Sequence, residues 1–307
     1  MKTNRNVDIL SPQQQALLNQ LLPVARIATA SGNENLPVRP RTHTLIVGPS
    51  GGGKSHLARS LGKRLGVPIL VINVSSWVVL SAKNEPWTFS LVCDWLATLG
   101  GKGGILVLDE IDKIAGGSEW KHLTVLELHD LLDGVIPLAA RLPHCPSNEL
   151  WGETEPDEPP DPAVRQKLAK LLRNRVFVVG CGAWQAAWRP SKPIIGFDSV
   201  IPKQTQPSPE HLLLFIGEEL RKRFRNEVVW LPPLAIADYM NVAGSIASQI
   251  SDSKIRRAWN VLVGPAIQQA MANGLGMRVF EELMLSAMLA TNEPPEPGLK
   301  TIDPPSI

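Results

Sequence analysis

The sequence predicts an α/β fold with a parallel sheet covered by helices, followed by a smaller all-helical part. Three observations lead there. Short apolar runs, Thr44-Leu45-Ile46-Val47, Ile69-Leu70-Val71-Ile72, Ile105-Leu106-Val107-Leu108 and Val176-Phe177-Val178-Val179, alternate with helix-forming stretches and are bounded by turn residues. Continuous apolar strands of this kind belong to sheets buried on both faces. A glycine-rich turn, Gly48 to Ser55, joins the first run directly to a helix. From Leu234 to Leu289 the pattern is helical only. With 307 residues, the chain has ample length to bury a core.

Taken in order, Ser11 is a good N-cap for a helix from Pro12 to about Ile27, with Pro12 at the first helical position. Leu17, Leu18, Leu21, Leu22 and Val24 give it one apolar face, and Pro23 is a site for a kink. The polar stretch Ser31 to Thr42 is a loop feeding the first strand. The helix after the glycine turn runs to Arg64, and Gly66 and Pro68 punctuate the chain before the second strand. Phe89 to Leu99, Leu123 to Val135 and Val164 to Leu172 read as helices. A proline-rich loop from Pro190 to Pro209 precedes one helix from Glu210 to about Phe224, and Val228 to Leu231 is a last short strand. The final helices have a cap near Ser251-Asp252 and a break at Gly264-Pro265. The expected organisation is an α/β domain over residues 1–231, with an acidic proline-rich loop at 143–162. A small helical domain over 232–292 and a disordered tail over 293–307 follow.

The turn GPSGGGKS fits the phosphate-loop pattern G-x-x-x-x-G-K-S, and the strand before it and helix after it are the context that pattern needs. Gly51, Gly52 and Gly53 allow the backbone to approach a polyphosphate closely, and N–H groups from Ser50 through His56 point at the anion. Lys54 supplies a cation near the β- and γ-phosphates, and Ser55 offers a hydroxyl to Mg²⁺. The run Ile105 to Leu108 ends in Asp109-Glu110. In an open α/β sheet ligands sit at the carboxyl ends of strands, so both acids emerge beside the nucleotide. Asp109 is the expected Mg²⁺ partner and Glu110 the group that polarises the attacking water. These two motifs define a P-loop NTPase that takes ATP and Mg²⁺.

Composition narrows the remainder. Thirty-one Lys and Arg against 29 Asp and Glu leave a formal net charge of +2, which does not favour a mainly electrostatic nucleic-acid binder. The cysteines Cys93, Cys145 and Cys181 form no C-x-x-C pair, so neither zinc nor a disulfide framework is indicated. The polar start of the chain lacks a signal core, and no apolar run approaches the ~20 residues a bilayer span needs. A cytoplasmic location is the expectation.

At Leu108-Asp109-Glu110-Ile111-Asp112-Lys113-Ile114 the sequence resembles the AAA+ ATPases, and most closely their ClpX-like unfoldase branch. The resemblance extends by motif order from about Val7 to Ala290. Leu131-Leu132-Asp133-Gly134 resembles that branch's helix end after Walker B, the motif that Ile105 to Glu110 resembles, and Val176 to Trp184 resembles its sensor 1 strand. Glu219 to Phe224 resembles the arginine-finger helix, and Gly274-Leu275-Gly276-Met277-Arg278 resembles the sensor 2 motif of the lid. The resemblance implies a homo-oligomeric ring, usually hexameric, with ATP between neighbours. It makes Arg223 the finger that reaches the neighbouring γ-phosphate, with Arg221 the alternative, and Arg278 the lid residue that contacts the phosphates of its own subunit. It also implies a protein substrate remodelled by the ATPase cycle. The chain departs from the family in several places. Ser81 to Trp87 replaces the aromatic pore loop, and Trp87 is either its gripping aromatic or a core residue of the next helix. The family's zinc-binding N-terminal domain is absent from the sequence. Sensor 1 falls at Gly180 or Cys181, with Gln185 the polar candidate nearby. The acidic loop selects basic partners or is passive solvated sequence, and Ile195-Gly196-Phe197 either docks a peptidase or is a packed turn. Two other readings remain open: a DNA-associated AAA+ regulator, and a nucleotide-gated scaffold with slow turnover.

Overall fold

A computed structural model describes residues 9–81, 87–115, 119–143, 162–185 and 208–292. Most of the stretch replacing the pore loop, the Trp87 side chain, nearly all of the acidic loop, Ile195-Gly196-Phe197 and the tail from 293 lie outside the described residues. The chain divides into two compact units, one spanning Pro12–Pro233 and the other holding the helices from Leu234 onward with residues 9–11.

The larger unit is a five-stranded parallel sheet: β1 (Thr44–Val47), β2 (Ile69–Asn73), β3 (Gly104–Asp109), β4 (Val176–Gly182) and β5 (Val229–Trp230). Their order is β2-β3-β4-β1-β5, so β4 lies between the strand before the glycine turn and the strand that ends in Asp109. All seven residues of β4 are buried, as are Leu45, Ile46 and Val47 of β1 and Ile105 through Leu108 of β3. Burying such aliphatic side chains contributes roughly 1.5–3 kcal/mol each, which is why uninterrupted apolar runs form the centre of the sheet.

Around it pack α1 (Pro12–Thr29), α2 (Lys54–Leu65), α3 (Val74–Ser81), α4 (Trp87–Thr98), α5 (Glu119–Asp133) and α6 (Pro162–Arg175). The buried stripe of α1 is Gln14, Leu18, Leu21, Ala25 and Ala28, at helical spacing but with a polar member, while Leu17, Leu22 and Val24 are only half-buried. The helix runs through Pro23. Helix α3 follows β2 with no intervening loop and buries Trp77 edge-on against Phe89 of α4.

Two expectations are corrected. The single helix expected over 210–224 is two, α7 (Pro209–Ile216) and α8 (Glu218–Arg221), because Gly217 takes φ 72° and ψ 156°, outside any helical well. The break expected at Gly264-Pro265 does not occur. In the second unit α9 (Ile236–Gln249) is followed by α10 (Ser253–Asn273), which continues through Pro265, and by α11 (Val279–Asn292). The cap at Asp252 is present, its carboxylate accepting from the Lys254 and Ile255 amides. Burial of Trp259, stacked on Phe280 at 6.0 Å, anchors α10 against α11 on the far side of the proline. Packing overrides the local cost of a proline in a helix.

Candidate nucleotide-binding site

The turn between β1 and α2 is shaped by glycine. Gly51 and Gly53 take φ of 73° and 87°, a region side chains disfavour, and Gly53 caps α2. Any Cβ on Gly48 would run into the Leu231 carbonyl, where the Leu231 amide bonds Val47 just after β5. The loop is thus clamped from the β5 side. From the other side Gln14 of α1, 1% exposed, donates its amide to the Gly52 carbonyl at 2.9 Å. A glutamine on the buried face of a helix 38 residues upstream carries no sequence signal of this role, and the sequence reading passes over it.

Lys54 is buried, and its ammonium donates to the Gly48 and Pro49 carbonyls at 2.9 Å each, curling the loop around the amine. Ser55 Oγ donates to Asp109 Oδ2 at 2.5 Å, which brings the two motifs together across the β4 strand. Glu110 follows in the left-handed region, φ 58°, unusual for a residue with a side chain. Its amide bonds Asp109 Oδ1 at 3.0 Å, and Ser75 of α3 donates to its Oε2 at 2.9 Å. Ser50, His56 and Glu110 are exposed, whereas Gly52 is buried and Gly51 and Gly53 half-buried.

The end of β4 is held by Asp112, a buried carboxylate in the 3-10 turn after β3 (Ile111–Ile114) that accepts from the Ala183 and Trp184 amides at 3.3 and 3.0 Å. Cys181 is wholly buried. Desolvation, reinforced by the Asp109 charge and opposed by Lys54, pushes its thiol up to about 12. It is a neutral thiol, and Gly180 has no side chain, so Gln185, exposed, is the polar group of this strand's end.

Arg223 lies in the turn after α8. Its guanidinium grips Asp133, at the end of α5, from Nε (3.0 Å to both carboxylate oxygens) and Nη2 (2.8 Å), and Nη1 donates to the Glu219 carbonyl at 2.9 Å. Arg221 instead donates to the Arg225 and Asn226 carbonyls at 2.7 Å, closing its own turn. Arg278 ends a 3-10 turn of the second unit (Gly276–Arg278), exposed, behind Gly274 and Gly276 at φ of 65° and 62°.

The donors fit the implied groups. The Ser55 hydroxyl and Asp109 carboxylate are hard oxygens already within one ion's reach of each other, and Mg²⁺ prefers one or two such protein ligands, keeping water and phosphate for the rest. Glycine backbone and a buried lysine at a helix start suit a polyphosphate. Among the described residues no cluster of three or more His, Cys, Asp or Glu could form an all-protein metal cage, and no helix is long and apolar enough to cross a membrane.

Sheet, loop and acid pair together define an α/β P-loop NTPase with a helical C-terminal part. Residues 44–140, about a third of the chain, match the family model "ATPase family associated with various cellular activities (AAA)". The match supports an AAA+ ATPase.

Proposed function

We propose that the chain is a ring-forming, Mg²⁺-dependent AAA+ ATPase of the cytoplasm, closest to the ClpX-like branch, that couples ATP hydrolysis to remodelling a protein partner. The observation that carries the ATPase reading is the convergence of Lys54, the Ser55–Asp109 pair and Glu110 at the carboxyl edge of β1 and β3. In this reading residues up to 231 hold the nucleotide, 232–292 act as the lid and 293–307 are a tail. Mg²⁺, when bound, neutralises charge on the β- and γ-phosphates. Lys54 exchanges its two loop carbonyls for phosphate oxygens. Ser55 and Asp109 would hold the ion, giving up their hydrogen bond to each other. Glu110, released by Ser75, orients the attacking water and takes its proton at a carboxylate oxygen. Arg278 ties lid position to the phosphates of its own subunit. Arg223 leaves Asp133 to offset the charge developing on the neighbour's γ-phosphate.

Mixing variants tests the ring and the roles together. Glu110→Gln keeps ATP bound and stops turnover, and Arg223→Ala binds ATP but hydrolyses it ~10³-fold more slowly. Mixed rings recover part of the activity, because some interfaces pair an intact Glu110 with an intact Arg223. Mixed rings that stay inactive remove the trans role, and a protein monomeric at every ATP concentration removes the ring.

One observation favours the slow scaffold as a second reading. The positions that the resemblance gives to sensor 1 hold a glycine and a wholly buried neutral thiol, and the polar Gln185 lies beyond the end of β4. A very low basal rate with strong ATP-dependent assembly would decide for it.

A further inference from the structure

A second polar cavity lies at the opposite end of β1, where the strand begins. The four residues of β1 put it ~13 Å along the sheet from the glycine turn. Its volume is about 210 Å³, and Arg39, Arg41, His43, Asp133, Lys222 and Arg223 are in its wall. It is built by three segments far apart in sequence: the approach to β1, the end of α5 and the turn after α8. The Arg225 amide fixes the last of these by donating to the His43 carbonyl at 2.8 Å.

The charges are unbalanced. Four cations face one carboxylate, and Arg223 already engages that carboxylate with three hydrogen bonds. Lys222 is paired with Glu218 at the surface. Arg39 and Arg41 make no ion pair among the described residues. Further guanidiniums stand behind them, Arg173 near Arg39 and Arg221 near Arg41. Burial first, and these like charges second, lower the affinity of Arg39 and Arg221 for their protons, with Asp133 opposing at Arg39. His43, 5% exposed, also lines the cavity. Its Nε2 lies 3.2 Å from both Arg39 Nη2 and the Leu132 carbonyl, while its Nδ1 is buried with no partner among the described residues.

We propose that this cavity binds a phosphate-class oxyanion. Arg39, Arg41 and Arg223 are its ligands, and Asp133 is the internal carboxylate that the anion displaces from Arg223. Guanidiniums present planar forks matched to phosphate oxygens, so a site built of arginines selects phosphate over a spherical anion. The cavity is smaller than the ~300–1,000 Å³ of sites that take drug-sized ligands, which suits phosphate or pyrophosphate and excludes a whole nucleotide. Two sources can supply that chemistry: free phosphate or pyrophosphate, or the terminal phosphate of a nucleotide held by a neighbouring subunit. The second rests on the ring reading above and the first does not.

The test uses the Lys54→Ala chain, which silences the glycine-turn site, titrated with inorganic pyrophosphate by calorimetry at low salt under conditions where the chain is monomeric. Saturable binding at one site per chain is expected. Arg41→Gln, at an exposed position that the fold tolerates, weakens it about tenfold. Asp133→Asn tightens it severalfold by freeing Arg223, an effect of opposite sign to any loss of structure. Circular dichroism checks each variant. Binding that survives Arg39→Gln/Arg41→Gln unchanged overturns the site. Should the monomer bind no pyrophosphate, the second source is decided on the Glu110→Gln chain: Arg41→Gln must then weaken ATP-dependent assembly about tenfold. If it does not, the proposal is overturned for both sources. A chain that never assembles leaves the pyrophosphate titration to decide alone.

Discussion

Gln14 and Gly53 offer a test of how the phosphate loop is held. Gln14→Ala removes the donor from the Gly52 carbonyl in a place where water does not replace it, since Gln14 is 1% exposed. Leaving one partner of a buried hydrogen bond unmatched costs roughly 1–3 kcal/mol. Gly53→Ala has two costs of different origin. The φ of 87° is a left-handed conformation, worth roughly 1–2 kcal/mol against a residue with a Cβ. The new methyl also falls inside the van der Waals radius of Gln14 Nε2, so the loop or the glutamine must move. In the double variant that collision disappears, because the shortened side chain of Gln14→Ala no longer reaches the loop, while the backbone strain and the unpaired carbonyl remain. The double variant is therefore less impaired than the sum of the singles by about 1 kcal/mol, well outside the ~0.3–0.5 kcal/mol scatter of independent sites. The free energies come from ATP binding measured by calorimetry, because the distortion sits in the loop that meets the phosphates. Gln14→Ala alone should weaken ATP by roughly tenfold. Additivity of the two substitutions would show that Gln14 does not pack on Gly53, and an unchanged affinity in Gln14→Ala would remove α1 from the site.

Two further outcomes follow from buried groups. Burial, with Arg39 adding to it, depresses the His43 pKa to about 4 from 6.5. The unfolded chain thus holds more protons between those values. The stability is present above pH 6.5 and falls as pH drops towards 4, by ~3 kcal/mol at most from this residue; thermal unfolding of His43→Gln across pH 7 to 4 should show a shallower loss than the parent, and parallel curves would refute the assignment. Burial also raises Cys181 to about 12 and Cys93 to about 11. Both should resist iodoacetamide at pH 8 in the native protein and react once it is denatured, and fast native alkylation of either would contradict their placement.

The strands were legible because each is a continuous apolar run bounded by turn residues, and the glycine turn and acid pair because their chemistry needs fixed spacings. Helix α3 was not. It begins at Val74 immediately after β2, without the loop that usually marks a change of element, and its valines and tryptophan read equally well as strand. Gly217 was hidden for the opposite reason: a glycine inside an apolar helical pattern is often tolerated, and only its φ and ψ show that it divides α7 from α8. Gly264-Pro265 carried the strongest local signal for a break, yet α10 crosses it because tertiary packing outweighs the lost hydrogen bond. At the site, identities were readable and partners were not. Nothing in the spacing announces that Gln14 holds Gly52, that Ser75 meets Glu110 or that Arg223 grips Asp133, since each pair joins residues between 35 and 90 positions apart.

Those long-range pairs decide what the site can do. Several parts of the candidate site are held by a side chain from another element: the loop by α1, Ser55 by β3, Glu110 by α3 and Arg223 by α5. The Asp112 carboxylate adds a fifth tie, from the turn after β3 to the backbone following β4. Apart from the ties of Gln14 and Asp112, every one of these bonds uses an atom that hydrolysis would need: the Ser55 hydroxyl, an Asp109 oxygen, a Glu110 oxygen and the Arg223 fork. A polar group inside a site must be satisfied in each state it visits, and these atoms are satisfied by one another. In the proposed cycle nucleotide binding exchanges one set of partners for another rather than filling vacant valences, and the net gain per contact is then smaller than a count of phosphate contacts would suggest. The same exchange makes the elements responsive. Breaking Ser75–Glu110 frees the end of α3, and breaking Arg223–Asp133 frees the end of α5, and these two helices pack directly on each other, with Trp77 of α3 donating to Glu127 of α5 at 2.5 Å. Helices α3 and α5 are further joined by Ser81, whose hydroxyl meets Thr124 at 3.0 Å and Glu127 at 3.4 Å, so one packed pair of helices carries both the Glu110 partner and the Arg223 partner.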